Sequence, residues 1–99
     1  MTTFELTQAA EEDLIKIWLY SFENWGIEQA DKYQTQIERC CDAVGKGTAR
    51  SKPVDGLSVP IFVHRCEQHY IFFLSSERPI VLALLHGSMD FLERLKERL

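Results

Sequence analysis

Two uninterrupted apolar runs near the end of the chain constrain its fold more than any other feature. They span residues 70–74 (YIFFL) and 80–85 (IVLALL), and the segment SSERP lies between them. A strand with one face in water alternates apolar and polar residues, so these unbroken runs predict strands that are covered on both faces. Such strands lie in the middle of a sheet. The rest of the chain must therefore supply neighbouring strands and a layer over each face.

The first half of the chain predicts a short strand and two helices. Residues 3–6 alternate like a strand, and Thr7 suits a helix N-cap. Gly26 ends this first helix, and a second one runs from about residue 27 to the glycines at 45 and 47. Two helices joined across one glycine predict an αα-hairpin packed on the sheet. The apolar stripe expected to face the core from the first helix consists of Leu14, Trp18, Phe22 and Trp25.

The second half predicts an antiparallel meander. Its strands cover residues 61–65, 70–74 and 80–86, and the last of them needs a second neighbour, which only the N-terminal strand can provide. The segment before them is interpreted as a loop, with or without a short strand near residues 51–54. An amphipathic helix capped by Asp90 closes the chain.

The predicted fold class is thus α+β, with an N-terminal strand, an αα-hairpin, a four-stranded sheet and a short C-terminal helix. A chain of 99 residues forms one domain, here spanning residues 1–99. Only the C-terminal helix is available for the second face of the sheet, so we expect exposed apolar surface there, of the kind that binds another chain.

Composition excludes several classes of protein. The net charge of −4 argues against direct binding to nucleic acid, which needs a basic surface. No apolar run approaches the ~20 residues that a membrane span requires. The N-terminus lacks the basic and apolar regions of a signal peptide. We therefore expect a cytoplasmic protein that contacts neither membrane nor nucleic acid directly.

Side chains that could perform catalysis or bind metal form no recognisable site. Cys40, Cys41 and Cys66 make neither a disulfide framework nor a metal knuckle, so free buried thiols are expected. His64 and His69 flank a turn, but two ligands do not make a metal site. The chain has no GxSxG elbow and no P-loop, so we predict no catalytic residue and no cofactor. A metal-free ribonuclease stays open as an alternative, with scattered candidates: Lys46, Arg50, Lys52, Arg65, Arg78, His86 and Arg94.

Two regions have both a structural and a functional interpretation. The junction from His86 to Asp90 is either a contact surface or a plain connection from strand to helix. Trp18 is expected in the core, whereas Trp25, near the end of its helix, either packs there or lines a groove for a partner.

Taken together, these residues resemble the ParE branch of the RelE/ParE toxin superfamily. The family's opening pattern, A..DL..I..Y....WG...A..Y...L, is matched by Ala10, Asp13, Leu14, Ile17, Tyr20, Trp25, Gly26, Ala30, Tyr33 and Ile37. Its "h.i.Y" strand and "LH.RMD" ending are matched by His69, Ile71, Leu85, His86, Met89 and Asp90. The chain departs from these patterns at Phe73, where the family usually has Tyr, and at Ser88, where Arg is frequent.

The resemblance implies the toxin of a type II toxin–antitoxin system, of the kind associated with plasmid stabilisation. A ParD-like antitoxin would hold it inactive, and DNA gyrase would be inhibited by protein–protein binding rather than by catalysis. The alternative is a ribosome-dependent mRNA endoribonuclease of the RelE type. From position in the chain we predict target contacts at Arg65, Arg78, His86, Met89 and Arg94. Antitoxin contacts are predicted at Phe22, Trp25 and Tyr33.

Overall fold

The structure is a computed structural model that describes residues 3–87 and 90–99. It has the predicted α+β class, with helices on both faces of one mixed sheet. The elements in chain order are β1 (Glu5–Leu6), α1 (Gln8–Trp25), α2 (Ile27–Lys46), β2 (Lys52–Pro53), β3 (Ile61–Cys66), β4 (His69–Leu74), β5 (Ile80–His86) and α3 (Phe91–Arg98).

The sheet has the order β1-β5-β4-β3-β2. The meander of β3, β4 and β5 is confirmed, and so is the position of the N-terminal strand beside β5, to which it runs parallel. The predicted count of four strands was wrong, because β2 adds a fifth at the edge by pairing with β3. This strand has only two residues, one of them Pro53, so it carries no alternating pattern. An edge position accepts proline because the missing N–H faces away from the sheet.

Both faces of the two central strands are covered, which explains their unbroken apolar runs. The hairpin of α1 and α2 packs on one face, where Ile71, Phe73 and Leu84 are buried. On the other face, Phe72 and Leu85 pack against Leu95 of α3, which is fully buried. Three apolar residues between β2 and β3 pack there as well: Val54, Leu57 and Val59.

The prediction of an exposed apolar sheet face was therefore wrong, because the segment between β2 and β3 shares the covering with α3. Large exposed apolar side chains lie mainly on the helix hairpin instead: Ile15, Leu19, Tyr20, Phe22, Trp25 and Ile27.

Helix α1 turns a different face to the sheet from the one predicted. Its N-cap is confirmed, since Thr7 Oγ accepts a hydrogen bond from the Ala10 amide at 3.1 Å. The buried positions, however, are Ala10, Asp13, Ile17 and Ser21. Small side chains here let the helix approach the sheet closely, so the large apolar residues lie to the side or in solvent.

The predicted core stripe of α1 is accordingly wrong for most of its members. Leu14 packs at the margin of the core. Trp18 is half-buried between the helices, where its indole N–H donates to Asp31 at 2.9 Å and its ring stacks on Phe22. Trp25 is 63% exposed.

The expectation of three free thiols was wrong for two of them. Cys40 of α2 and Cys66 of β3 form a disulfide, with their Cα atoms 6.1 Å apart. Adjacent helical residues point about 100° apart, so Cys41 faces the core while Cys40 faces β3. Cys41 is free and buried as expected, and burial raises the pKa of its thiol to about 12.

Candidate functional site: a groove between the helix hairpin and the sheet

One concavity is an open groove of about 1260 Å³. It lies between the helix hairpin, the adjoining ends of β4 and β5, and α3. Its lining consists of Asp13, Lys16, Ile17, Tyr20, Ser21, Trp25, Gln29, Tyr33, Gln68, His69, Leu84, Leu85, His86, Arg94 and Arg98.

A bidentate ion pair forms the base of the groove. Arg98 donates to the two carboxylate oxygens of Asp13 at 2.7 and 2.8 Å, and to the carbonyl oxygen of Leu82 at 2.9 Å. The Leu84 amide also donates to the Asp13 carboxylate, at 3.0 Å. The hydrogen bonds that the Arg98 guanidinium donates to Asp13 raise the pKa of Arg98. One buried carboxylate thus joins α1, β5 and α3.

A tyrosine–histidine pair forms one wall. The Tyr33 hydroxyl lies 2.7 Å from Nδ1 of His69 and accepts a hydrogen bond from the Gln68 amide at 3.2 Å. Donor and acceptor in the Tyr33–His69 bond depend on the tautomer of the imidazole. Burial raises the pKa of Tyr33. Burial, with a smaller effect of neighbouring His86, lowers the pKa of His69 to about 4.

Acidification is expected to destabilise the fold through His69. An unfolded chain protonates this histidine near its ordinary pKa of 6.5, whereas the folded chain protonates it only near pH 4. Between these values the unfolded state binds more protons, so the free energy of unfolding rises with pH. The contribution is fully present above pH 6.5 and is lost as the pH falls to 4. Denaturant titrations across this range measure it, and His69→Gln should reduce the slope; an unchanged slope would assign it to another group.

The rim of the groove is aromatic and basic. Tyr20 and Trp25 meet edge to face with ring centroids 5.8 Å apart, and both are more than half exposed. Lys16 and Arg94 are exposed and line the same groove. Since Asp13 is already paired with Arg98, the groove has an excess of positive charge in a chain whose net charge is −4. Aromatic anchors beside basic groups suit an acidic, partly apolar segment of another protein.

The structure brings together only some of the residues predicted to contact partners. His86 and Arg94, predicted for the target, line the same groove as Trp25 and Tyr33, predicted for the antitoxin. Phe22 does not line it, and stacks instead on Trp18 with ring centroids 5.3 Å apart.

The remaining predicted target residues lie elsewhere. Arg65 sits over the Tyr70 ring, 5.8 Å from its centroid, and does not line the groove. Arg78 lies just before the start of β5, whereas the groove is at the other end of that strand. Its guanidinium is 3.9 Å from the Glu5 carboxylate. Met89 is outside the described residues.

Sequence reasoning missed the ion pair and part of the rim. Asp13 entered the sequence analysis only as a match to the family pattern, although its spacing from Ala10 and Ile17 places it on their face. Nothing local marks Arg98, which lies 85 residues away in sequence. Tyr20 appeared only as a match to the family pattern.

Among the described residues, no group of three or more His, Cys, Asp or Glu side chains could hold a metal ion. No helix within 3–87 or 90–99 has the length and hydropathy to cross a membrane.

The chain is similar to toxins of one family along nearly its whole length. Residues 4–91 match the model of the ParE toxin of type II toxin–antitoxin systems, parDE. A Toxin ParE of Escherichia coli is 36% identical over 101 aligned positions, which cover 100% of this chain and 98% of the relative. Toxin ParE1 of Caulobacter vibrioides is 28% identical over 92 aligned positions, which cover 91% of this chain and 94% of that relative.

A solved structure supports the fold. A chain from the chromosomal ParDE TA system of P. aeruginosa superposes with a TM-score of 0.72 at 16% sequence identity, and the match covers 87% of this chain and 96% of that one. With the family model matching residues 4–91, this chain belongs to the ParE toxins of type II toxin–antitoxin systems.

Proposed function

We propose that this ParE-family toxin inhibits DNA gyrase by protein–protein binding, and that a ParD-like antitoxin neutralises it by filling the groove. The observation that carries the proposal is the convergence of Trp25, Tyr33, His86 and Arg94 in one groove of about 1260 Å³. DNA gyrase and the ParD-like antitoxin are both cytoplasmic partners, so the proposed activity is a cytoplasmic one.

The antitoxin part rests on the shape and chemistry of the groove. Tyr20 and Trp25 present large aromatic surface with little side-chain freedom to lose on binding. Lys16 and Arg94 would attract acidic residues of the incoming segment and raise its rate of association. An antitoxin segment with acidic and apolar residues in alternation along one face would satisfy both.

The gyrase part rests on overlap within this groove. Because His86 and Arg94 line it, an antitoxin seated there would cover two of the predicted target contacts. Neutralisation then needs no change in the toxin's conformation, only competition for one surface.

The proposal is tested with purified toxin, gyrase, relaxed plasmid and ATP. We expect lost supercoiling and protein-linked linear DNA, and recovery of supercoiling when the antitoxin encoded beside the toxin gene is added in equimolar amount. Supercoiling that persists at a large molar excess of toxin would remove gyrase as the target.

Two arginines, one in α3 at the rim of the groove and one just before the start of β5, test which surface gyrase meets. Arg94→Gln is expected to weaken gyrase inhibition about tenfold, because it removes a charge from the rim of the groove. Arg78→Gln is the matched control and should keep nearly full inhibition, since Arg78 lies away from the groove beside Glu5. Dose–response curves for supercoiling compare them. The opposite ranking would move the contact surface to the start of β5.

One observation favours the alternative of an mRNA endoribonuclease. His69 and His86 lie with ring centroids 5.3 Å apart in a groove that Arg94 also lines, and paired imidazoles with a cation in one site suit acid–base cleavage of RNA. Translating ribosomes carrying a defined message, with primer extension to locate cuts, test this function. Cleavage that His86→Ala abolishes would support it over gyrase inhibition.

A further inference from the structure

The contact between α2 and the turn from β3 to β4 is made by one face of the helix. Tyr33, Gln36 and Cys40 are spaced by three and four residues, so their side chains share that face. Tyr33 accepts from the Gln68 amide, and Cys40 is bonded to Cys66. The Gln36 carbonyl oxygen lies 3.7 Å from Sγ of Cys66. The disulfide therefore helps to hold α2 against the turn that carries the Tyr33–His69 wall of the groove.

The two sulfurs of this bond differ in access. Cys66 is 2% exposed, whereas Cys40 is partly exposed on the helix surface. A small thiol or disulfide arriving from solvent thus reaches Cys40 first. The third cysteine, Cys41, is also 2% exposed, and its raised pKa leaves almost no thiolate near neutral pH.

We propose that Cys40 and Cys66 form a reversible thiol–disulfide exchange site for small disulfides such as oxidised glutathione. Cys40 reacts first with the small disulfide, and Cys66 then resolves the mixed disulfide. In oxidation, the Cys40 thiolate attacks one glutathione sulfur and releases one glutathione thiolate. The Cys66 thiolate then attacks Sγ of Cys40, forms the protein disulfide and releases the second glutathione. Two protein thiols lose two electrons and two protons, and one glutathione disulfide becomes two glutathione thiols.

The structure also accommodates the reduced form of the two cysteines. Once the bond opens, the Cys66 thiol faces the Gln36 carbonyl oxygen at 3.7 Å and gains a weak hydrogen-bond acceptor. Reduction therefore leaves no buried polar group without a partner at this position, which suits a bond that opens and closes.

Closure of the bond restrains the groove wall. Cys66 directly precedes Glu67, whose φ of 57° is left-handed and uncommon for a residue with a side chain. The next residue, Gln68, donates its amide to Tyr33 and accepts from the Gly87 amide at 3.1 Å. The disulfide thus fixes a turn that positions both the Tyr33–His69 pair and the end of β5.

The exchange is tested on the full chain by mass spectrometry after incubation with defined ratios of reduced to oxidised glutathione and trapping of free thiols. We expect the wild type to pass reversibly between three free thiols and one. Cys66→Ser should capture one glutathione at Cys40, because the resolving sulfur is gone. Cys40→Ser should capture at least about tenfold less, because Cys66 is buried. Cys41→Ala is the matched control and should keep the full exchange.

Two outcomes would overturn the site. One is a wild type with three free thiols at every ratio. The other is equal capture of glutathione by Cys40→Ser and by Cys66→Ser. If Cys66→Ser fails to fold, as judged by circular dichroism, Cys66→Ala serves in its place, since alanine leaves no polar group in the buried position.

Hydrogen exchange tests the coupling to the groove wall. Reduction of the wild type should speed amide exchange at Gln68 and Gly87 on the order of tenfold, while the central amide of Phe72 stays unchanged. Equal rates in the oxidised and reduced proteins would contradict a role of the disulfide in holding the turn.

Discussion

Replacing Asp13 with alanine is expected to lower the free energy of unfolding by about 3 to 5 kcal/mol. The change leaves the partly buried Arg98 guanidinium without its carboxylate and the Leu84 amide without an acceptor. A buried charge that loses its partner costs far more than an exposed one, because water cannot fully replace the lost hydrogen bonds. Denaturant unfolding at pH 7, followed by circular dichroism, measures the loss.

The control is the pair Arg98→Met and Asp13→Leu, separately and together. Each single change leaves the other partner with unsatisfied hydrogen bonds and should destabilise the fold strongly. The double variant removes both charges and should recover much of the loss, although the Leu84 amide stays unpaired. Losses that simply add in the double variant would mean that the ion pair contributes little beyond the packing of its two side chains. Glu12→Ala, an exposed neighbour on the same helix, should change stability by less than about 0.5 kcal/mol.

The sheet could be predicted because its signal is local. The apolar runs of β4 and β5 indicate that both faces of these strands are covered. The short connections between the strands favour antiparallel pairing. The position of the N-terminal strand beside β5 followed by elimination, since β5 needed a second neighbour. A two-residue edge strand such as β2 has too few side chains to show any period, so its presence is decided by tertiary pairing with β3.

The groove was harder to predict because its parts meet only in three dimensions. Hydrophobicity selected Trp18, Phe22 and Trp25 as the buried face of α1, but close approach to the sheet selects small residues such as Ala10 and Ser21. The disulfide joins cysteines 26 positions apart, and no spacing rule connects them. Trp25 and Tyr33 were predicted for one partner and His86 and Arg94 for another; the fold places all four in one groove.

Replacing Trp25 with alanine is expected to weaken binding of the ParD-like antitoxin by about 30- to 1000-fold, which is about 2 to 4 kcal/mol. Trp25 lines the groove and is 63% exposed in the free chain, so its large surface is available for burial by a partner. The same exposure means that the change removes little from the core, and the toxin should remain folded. Isothermal titration of the toxin with its antitoxin, at fixed salt, measures the loss.

Phe22→Ala is the matched comparison, because Phe22 is also an exposed aromatic of α1 and was predicted as an antitoxin contact. It stacks on Trp18 and does not line the groove, so its loss should weaken binding by less than about threefold. Circular dichroism and thermal melts of both variants ensure that folded proteins are compared. A large loss with Phe22→Ala and a small one with Trp25→Ala would place the antitoxin on the Trp18–Phe22 stack rather than in the groove. Large losses with both would mean that the antitoxin segment extends along α1 from the groove to the Trp18–Phe22 stack, since the two side chains are only three residues apart on the helix.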